Sequence, residues 1–372
     1  MHGIKTNILT IGTRPITAVA TAVIGIVGTA PAADAAAFPI GARVLITDVR
    51  QALTQLGETG TLPAALTAIA DQANPTVVLV RVAPDANAGT QDSNTIAGVN
   101  LLLGAETALG VRPRILGAPG LDTAAVSAAL VVVAKRLRAM VYARAIGATV
   151  ANAVTYAATF ADREIMLIWP NFSGAFVGDA VARAMGLRAQ IDEQQGWNKT
   201  LSNVVVGGVT GLSQDVSFDF EGGASDAATL NNAKITTLVR FGGGFRFWGN
   251  RTCSSEPLFA FESATRTSQI LADEIAYGLA WAADKPMTAR LVRDVLDTIN
   301  ARLRKLATPG PNQRLIGAKA WYDPALNPPA DLAAGKLVLD YDFTPTAPME
   351  GLELNQRITD KYYADLASQL AA

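Results

Sequence analysis

Short apolar, β-branched runs alternate with stretches of helical spacing along the first half of the chain. That alternation limits the fold more than any other feature. VLI (44–46) and TVVLVRV (76–82) flank LPAALTAIADQA (62–73), whose apolar residues recur as on one face of a helix. A polar loop is expected from Ala83 to Ser93. RILGAPG (114–120), AMVYA (139–143) and EIMLIWP (164–170) continue the series, with helices predicted from Thr123 to about Arg138, onward to about Phe160, and from Gly178 to Gln190. Continuous apolar strands separated by amphipathic helices predict an α/β fold with a buried, largely parallel sheet. At 372 residues the chain is long enough for a second core.

The pattern changes in the second half. Ile270, Leu271, Ile275 and Leu279 keep helical spacing until Lys285-Pro286, and Asp284 is a plausible N-cap for the next helix, Met287 to Leu306. There Leu291, Val295, Ile299 and Leu303 form a core stripe, while Arg290, Arg293 and Arg304 share much of another face. That basic face is either simply solvated or a surface for an acidic partner. Two strands follow, LIGAKAWY (315–322) and KLVLDYDF (336–343), with Leu337, Leu339, Tyr341 and Phe343 on one side of the second.

The two ends are alike. IKTNILTIGT (4–13) precedes Pro15, and after TPTAP (344–348) Leu352, Leu354 and Ile358 fall on one face of an extended segment. Neither end has an obvious partner strand in its own chain, and an unpaired strand leaves backbone groups unsatisfied. Such ends are disordered tails or strands that add to another subunit's sheet.

Composition removes much familiar chemistry. The one histidine is His2 and the one cysteine Cys253, so imidazole-based triads and zinc sites of His and Cys lack their residues. A single cysteine also excludes an internal disulfide and suits a reducing compartment. Charged residues make up 17% of the chain and the net charge is −1, which offers no footprint for nucleic acid. Catalysis by carboxylates alone stays open. ITAVATAVIGIVGTAPAA (16–33) reads as a signal peptide or as a buried strand, and it is short for a membrane span of ~20 residues. Within it VIGIVGTA (23–30) is an incomplete dinucleotide fingerprint. Three formal glycosylation sequons, at Asn171, Asn198 and Asn250, come without any sign of secretion.

FGGGFRFWGNRTCSSEP (241–257) is the densest stretch. It fits neither G-x-G-x-x-G nor a phosphate loop ending in Lys-Ser/Thr. As a strand it points Phe245 and Phe247 one way and Arg246 and Trp248 the other, before a turn at Gly249-Asn250. Arg251 can then stack on Trp248 or satisfy carbonyls. The stretch reads as a structural crossover between two domains, which makes Arg246, Trp248 and Arg251 architectural.

These residues also carry a resemblance. RFWGNRTCSSEPLF (246–259) resembles the crossover of contractile tail-sheath proteins of myovirus-type phages and R-type tailocins. LIWPNF (167–172), residues 186–211, WAADKPMTARLVRDVLDTIN (281–300) and residues 335–362 match the same family in the same order, over most of 110–365. The resemblance implies a structural homopolymer, sixfold in symmetry, that surrounds a tail tube in a metastable extended state and contracts to drive it through the host envelope. It implies no cofactor, no enzymatic role, and partners that include the tube, baseplate and tail terminator proteins, with no nucleic acid and no membrane insertion. The expected location is the virion tail, assembled in the host bacterial cytoplasm.

The division implied is a donor arm (1–15), an outer α/β part (16–220), a crossover (221–257), a C-terminal α+β domain (258–345) and a second donor arm (346–372). Ile8, Leu9 and Ile11 at one end, and Leu352, Leu354 and Ile358 at the other, would be donated to neighbours. Ile316, Trp321, Leu337, Leu339 and Tyr341 mark the acceptor strands, and Arg290, Arg293 and Arg304 are expected to face the tube. The rival from the enzyme class is a nucleotide-binding α/β protein. A secreted globular protein with a cleaved leader is the other alternative.

Overall fold

The computed structural model describes residues 15–173 and 178–370. Its first part runs β1 (Ile24–Thr29), β2 (Arg43–Ile46), α1 (Val49–Leu56), α2 (Thr61–Ala70), β3 (Val77–Val82), α3 (Ala88–Leu101), α4 (Ala105–Leu109) and β4 (Ile115–Gly117). Next come α5 (Ala124–Leu137), β5 (Met140–Arg144), α6 (Val150–Ala157), β6 (Ile165–Ile168), β7 (Phe172–Ser173), α7 (Ala180–Gln194) and β8 (Gly211–Leu212). The remainder is α8 (Asp226–Asn232), β9 (Ile235–Phe241), β10 (Gly244–Trp248), α9 (Glu262–Gly278), α10 (Ala289–Ala307), β11 (Leu315–Trp321), α11 (Pro329–Ala333), β12 (Asp340–Pro345) and α12 (Tyr363–Leu370).

Eight strands form one sheet in the order β10-β9-β6-β5-β4-β1-β3-β2. Pairing is parallel from β3 through β9, and antiparallel where β2 and β10 close the two edges. Successive residues feed opposite cores. Val77 and Leu79 of β3 join the layer with α1, α2 and α7, whereas Val78, Val80 and Val82 join the layer with α3, α5 and α6. A strand covered on both faces must be apolar at every position, which is why these runs show no alternation.

The ambiguous segment 16–33 contributes β1, which is buried throughout and lies between β3 and β4. Its glycines answer the fingerprint question. A Cβ on Gly25 would meet Leu116 at 2.8 Å and Pro113 at 2.9 Å, and one on Gly28 would meet Thr61 Oγ1 at 2.5 Å. Both stand inside the strand where helix and neighbouring strand press close, not in a turn that could cradle phosphate.

Three expectations need correction. The supposed loop 83–93 contains the start of α3, capped by Asn87, whose side chain accepts from Thr90 N at 3.0 Å. Its first turns are polar because they are exposed, and that hid the helix. Asp284 does not cap α10; it sits at φ 60, while Thr288 accepts from Leu291 N at 3.2 Å. Finally, part of the stretch assigned to the crossover, Ile235 to Trp248, is the β9–β10 hairpin at one edge of the main sheet. Ile235 and Leu238 are buried in its two cores, and Cys253 still packs in one of them with its N–H on the Ile165 carbonyl at 3.1 Å, so the chain leaves this layer only after Cys253.

Candidate assembly surface

The C-terminal region has its own core. Ile270, Leu271 and Ile275 of α9 pack on Val295, Ile299, Leu303 and Leu306 of α10, with Leu315 and Ala320 of β11 closing one side. The predicted stripe on α10 is therefore the face that packs. Arg302 on the same helix went unnoticed in the sequence; it is buried and bonds Glu274 of α9 at 2.8 and 2.5 Å.

Against these helices lies a sheet of two antiparallel strands, β11 and β12. Ala318, Leu339, Tyr341 and Phe343 pack toward the core, and the rings of Tyr341 and Phe343 stack at 6.3 Å. Ile316 falls at a register shift between Leu315 and Gly317 and is 62% exposed; Trp321 is 36% exposed on the same outward side. Leu337 is half-buried ahead of the strand. The second strand begins at Asp340, later than the expected 336, because Val338 is engaged elsewhere. Its N–H donates to Asn327 Oδ1 at 2.8 Å and its carbonyl accepts from Asn327 Nδ2 at 2.9 Å, so a side-chain amide stands where a strand would.

With only two strands, each keeps one edge without a strand partner among the described residues. Beyond β12 the chain from 351 to 360 has no regular structure and is exposed throughout. Leu352, Leu354 and Ile358 are 68%, 80% and 97% exposed. Ile8, Leu9 and Ile11 lie outside the described residues. Arg290, Arg293 and Arg304 are all exposed, yet Asp294 and Asp297 are exposed on the same helix, and Arg290 lies 4.0 Å from Asp294. The face is thus of mixed sign.

The side chains of β10 and of the turn after it are engaged within the subunit. Phe245 and Phe247 pack edge-on against Phe172, whereas Trp248 meets Phe218 at 4.9 Å on the other side of the strand. Arg246 donates to the carbonyls of Phe241 and Asn203 at 3.1 and 3.0 Å. Gly249 makes the turn at φ 135, where a Cβ would strike Thr236 Cα at 2.8 Å. Arg251 does not stack on Trp248. It lies over Phe261, 5.2 Å from the ring centroid, and pairs with Glu350.

Elsewhere in the interior is a feature the sequence reading missed. Arg188 and Asp192 of α7, Glu262 and Arg266 of α9, and Tyr142 of β5 meet in the interior. Arg188 reaches Asp192 at 2.8 Å and Glu262 at 3.4 Å, Arg266 bonds Asp192, and the Tyr142 hydroxyl donates to Glu262 at 2.7 Å. Burial opposes the Arg188 charge, but Asp192 and Glu262 outweigh it and hold its pKa above the ordinary value. Burial and the Glu262 charge keep Tyr142 protonated. A second carboxylate on α9, Asp273, receives Arg112, Arg114 and Arg138 from the α/β layer. Buried pairs of this kind add little net stability over apolar packing of the same volume. The i,i+4 spacing of Arg188 with Asp192 and of Glu262 with Arg266 was the available signal.

Burial pushes the Cys253 thiol up to about 12, so it is not a ready nucleophile. A crevice of about 380 Å³ opens at the C-terminal ends of β5 and β6, a common ligand position in such sheets. Several of its polar lining groups are paired within the protein: Arg144 Nε to Asp122 at 2.8 Å, Trp169 Nε1 to the Gly147 carbonyl at 2.9 Å, and Asn171 Oδ1 to Ala180 N at 2.8 Å. Among the described residues no group of His, Cys, Asp and Glu is placed to hold a metal ion, and no helix is long and apolar enough to cross a membrane.

Comparison with known proteins agrees along nearly the whole chain. Residues 94–253 match the phage tail sheath protein central domain, 254–359 the phage tail sheath C-terminal domain, and 21–82 the N-terminal region of domain III of the tail sheath protein Gp18. The tail sheath protein of Escherichia phage P2 is 46% identical, covering 99% of this chain and 98% of its own. The major tail sheath protein of Serratia phage KSP20 is 44% identical, covering 97% and 96%. Among solved structures, the contracted helical sheath of the anti-feeding prophage superposes with a TM-score of 0.73 at 16% identity, over 96% of this chain and 98% of that one. The contracted PVC sheath of an extracellular contractile injection system gives 0.72 at 14% identity, over 97% and 99%.

Proposed function

The chain belongs to the phage tail sheath family and is a structural sheath subunit; on that premise we propose how its own residues build the sheath. Subunits polymerise as sixfold rings or strands around a tail tube, in an extended state that stores the free energy later released on contraction. The terminal arms tie the lattice together. The C-terminal arm of one copy, through Leu352, Leu354 and Ile358, adds a strand to the two-stranded sheet of a neighbour, and the N-terminal arm with Ile8, Leu9 and Ile11 adds another.

One observation carries this reading: a strand-length arm with apolar residues 68–97% exposed belongs to a chain in which, among the described residues, β11 and β12 each keep an edge without a strand partner. Exposed apolar side chains and unpaired strand edges are each unfavourable alone, and pairing between copies removes both. Leu339, Tyr341 and Phe343 would form the floor on which the added strand rests, and Ile316 and Trp321 the outer side. Arg290, Arg293 and Arg304 face the tube, attracting an acidic surface while Asp294 and Asp297 set orientation. The outer α/β layer, residues 16–220 with the β9–β10 hairpin, forms the exterior, and 258–345 the inner lattice.

Baseplate and tail terminator proteins cap the polymer, and assembly proceeds in the host cytoplasm before incorporation into the virion tail. No nucleotide is consumed, and the chain acts without a cofactor. Negative-stain microscopy of the purified chain tests this. Tubes of regular diameter are expected, and a protein that stays monomeric at high concentration, with or without tail tubes, overturns the assembly reading.

A further inference from the structure

We infer that Arg251 and Asn198 are positioning residues that clamp the root of the C-terminal arm and set the direction in which it leaves the subunit. The inference rests on the sheath reading for its consequence, but the clamp itself is a property of the single chain. Residues 346–350 join β12 to the arm and cross the body of the protein. At their start Thr346 Oγ1 accepts from Asn198 Nδ2 at 3.3 Å. At their end the Glu350 carboxylate takes two bonds from one guanidinium, from Arg251 Nε at 3.0 Å and a terminal nitrogen at 2.5 Å. Between these points Ala347, Pro348 and Met349 line a cavity of about 460 Å³ shared with Lys199, Asn231 and Trp248. The strap is held at both ends, with Ala347 and Met349 exposed and Pro348 half-buried between them.

The clamp is pre-aimed. Arg251 follows the Gly249 turn, its backbone bridges Phe261, and its guanidinium lies over the Phe261 ring. A planar guanidinium bonded through two nitrogens fixes the carboxylate in orientation as well as distance. Both side chains are about 40% and 36% exposed, so the pair adds little net stability. That combination suits a catch: it specifies direction while intact and releases at low cost. When neighbouring copies rotate, an arm still paired to its neighbour must pivot at this root, and the open cavity lets residues 347–349 move without losing packing. Every subunit repeats the catch, so small individual terms sum along the lattice and help hold the extended state.

The test compares wild type with Arg251→Gln, Glu350→Gln, Asn198→Ala and the swap Arg251→Glu/Glu350→Arg. Backbone order parameters from 15N relaxation of the unassembled subunit across residues 346–352 are the first readout. Each single variant should lower them there, with those of the main sheet unchanged, and the swap should recover most of the loss. In assembled sheaths, the urea concentration that triggers contraction should fall for the single variants and return in the swap. Wild-type order parameters in all single variants would overturn the clamp, and lowered ones with an unaltered trigger would overturn its role in holding the extended state. If wild type forms no tubes, the assembly reading fails while the order parameters still decide the clamp.

Discussion

Arg302 of α10 bonds both carboxylate oxygens of Glu274 on α9, at 2.8 and 2.5 Å, inside the C-terminal core. Neither group reaches solvent appreciably, the side chains being 8% and 0% exposed. Removing one partner leaves a buried charge uncompensated, which costs about 3–5 kcal/mol, whereas replacing both by apolar residues of similar size is close to neutral. Glu274→Leu should therefore lower the urea midpoint of the subunit strongly, and the Glu274→Leu/Arg302→Met pair should restore most of it. Equal losses in the single and double variants would show that the pair does not act as a unit.

Asp179 predicts a pH dependence of the opposite sense to an ordinary paired carboxylate. It caps α7, accepting from Ala182 N at 2.9 Å, but burial, with the Asp122 charge adding, raises its pKa from 3.8 to about 6. Folding then favours the protonated form. The associated destabilisation is absent below pH 4, grows as pH rises from 4 to 6, and is complete above that. Asparagine caps a helix as well as aspartate and carries no charge. Asp179→Asn should be more stable than wild type by about 1–3 kcal/mol at pH 8 and no more stable at pH 4. A wild type as stable as the variant at pH 8 would refute the assignment.

For the proposed tube-facing residues, a single substitution should do little, since one exposed pair contributes ~0–1 kcal/mol. The triple variant Arg290→Glu, Arg293→Glu, Arg304→Glu reverses the face in every copy of the lattice. It should form empty tubes yet fail to coat tail tubes, and in wild type added salt should weaken coating. Normal coating by the triple variant, seen by electron microscopy, would move the tube contact elsewhere.

Register in the C-terminal arm offers a sharper test than truncation. Deleting Asn355 keeps Leu352 and Leu354 in place but turns Ile358 to the opposite face of a paired strand. Since Ile358 is 97% exposed in its own subunit, circular dichroism and the unfolding midpoint should match wild type. Polymerisation should fall by at least about tenfold. Tubes formed as readily as by wild type would mean that the arm does not pair in a fixed register.

Local period made much of this molecule readable before its structure. β3 is apolar at Val77, Val78, Leu79 and Val80 because both faces of its sheet are covered, and α10 repeats Leu291, Val295, Ile299 and Leu303 because one face packs. Burial of that kind is imprinted on neighbouring residues, so it survives in a linear string. The alternation at Leu352, Leu354 and Ile358 was visible in the sequence too, although the structure leaves all three exposed; their pairing with a neighbour is the proposal above.

What only the tertiary structure decided involves groups far apart in sequence. Asp192 meets Arg266 across 74 residues, Arg251 meets Glu350 across 99, and Asn327 takes both backbone groups of Val338 in place of a strand. The β9 strand was missed for a different reason: its run Ile235 to Val239 is rich in β-branched residues and buried throughout, and that local signal was available. Apolar burial needs only the right period, but a charge or an amide needs a particular partner at bonding distance, and that partner is chosen by the packing of whole elements.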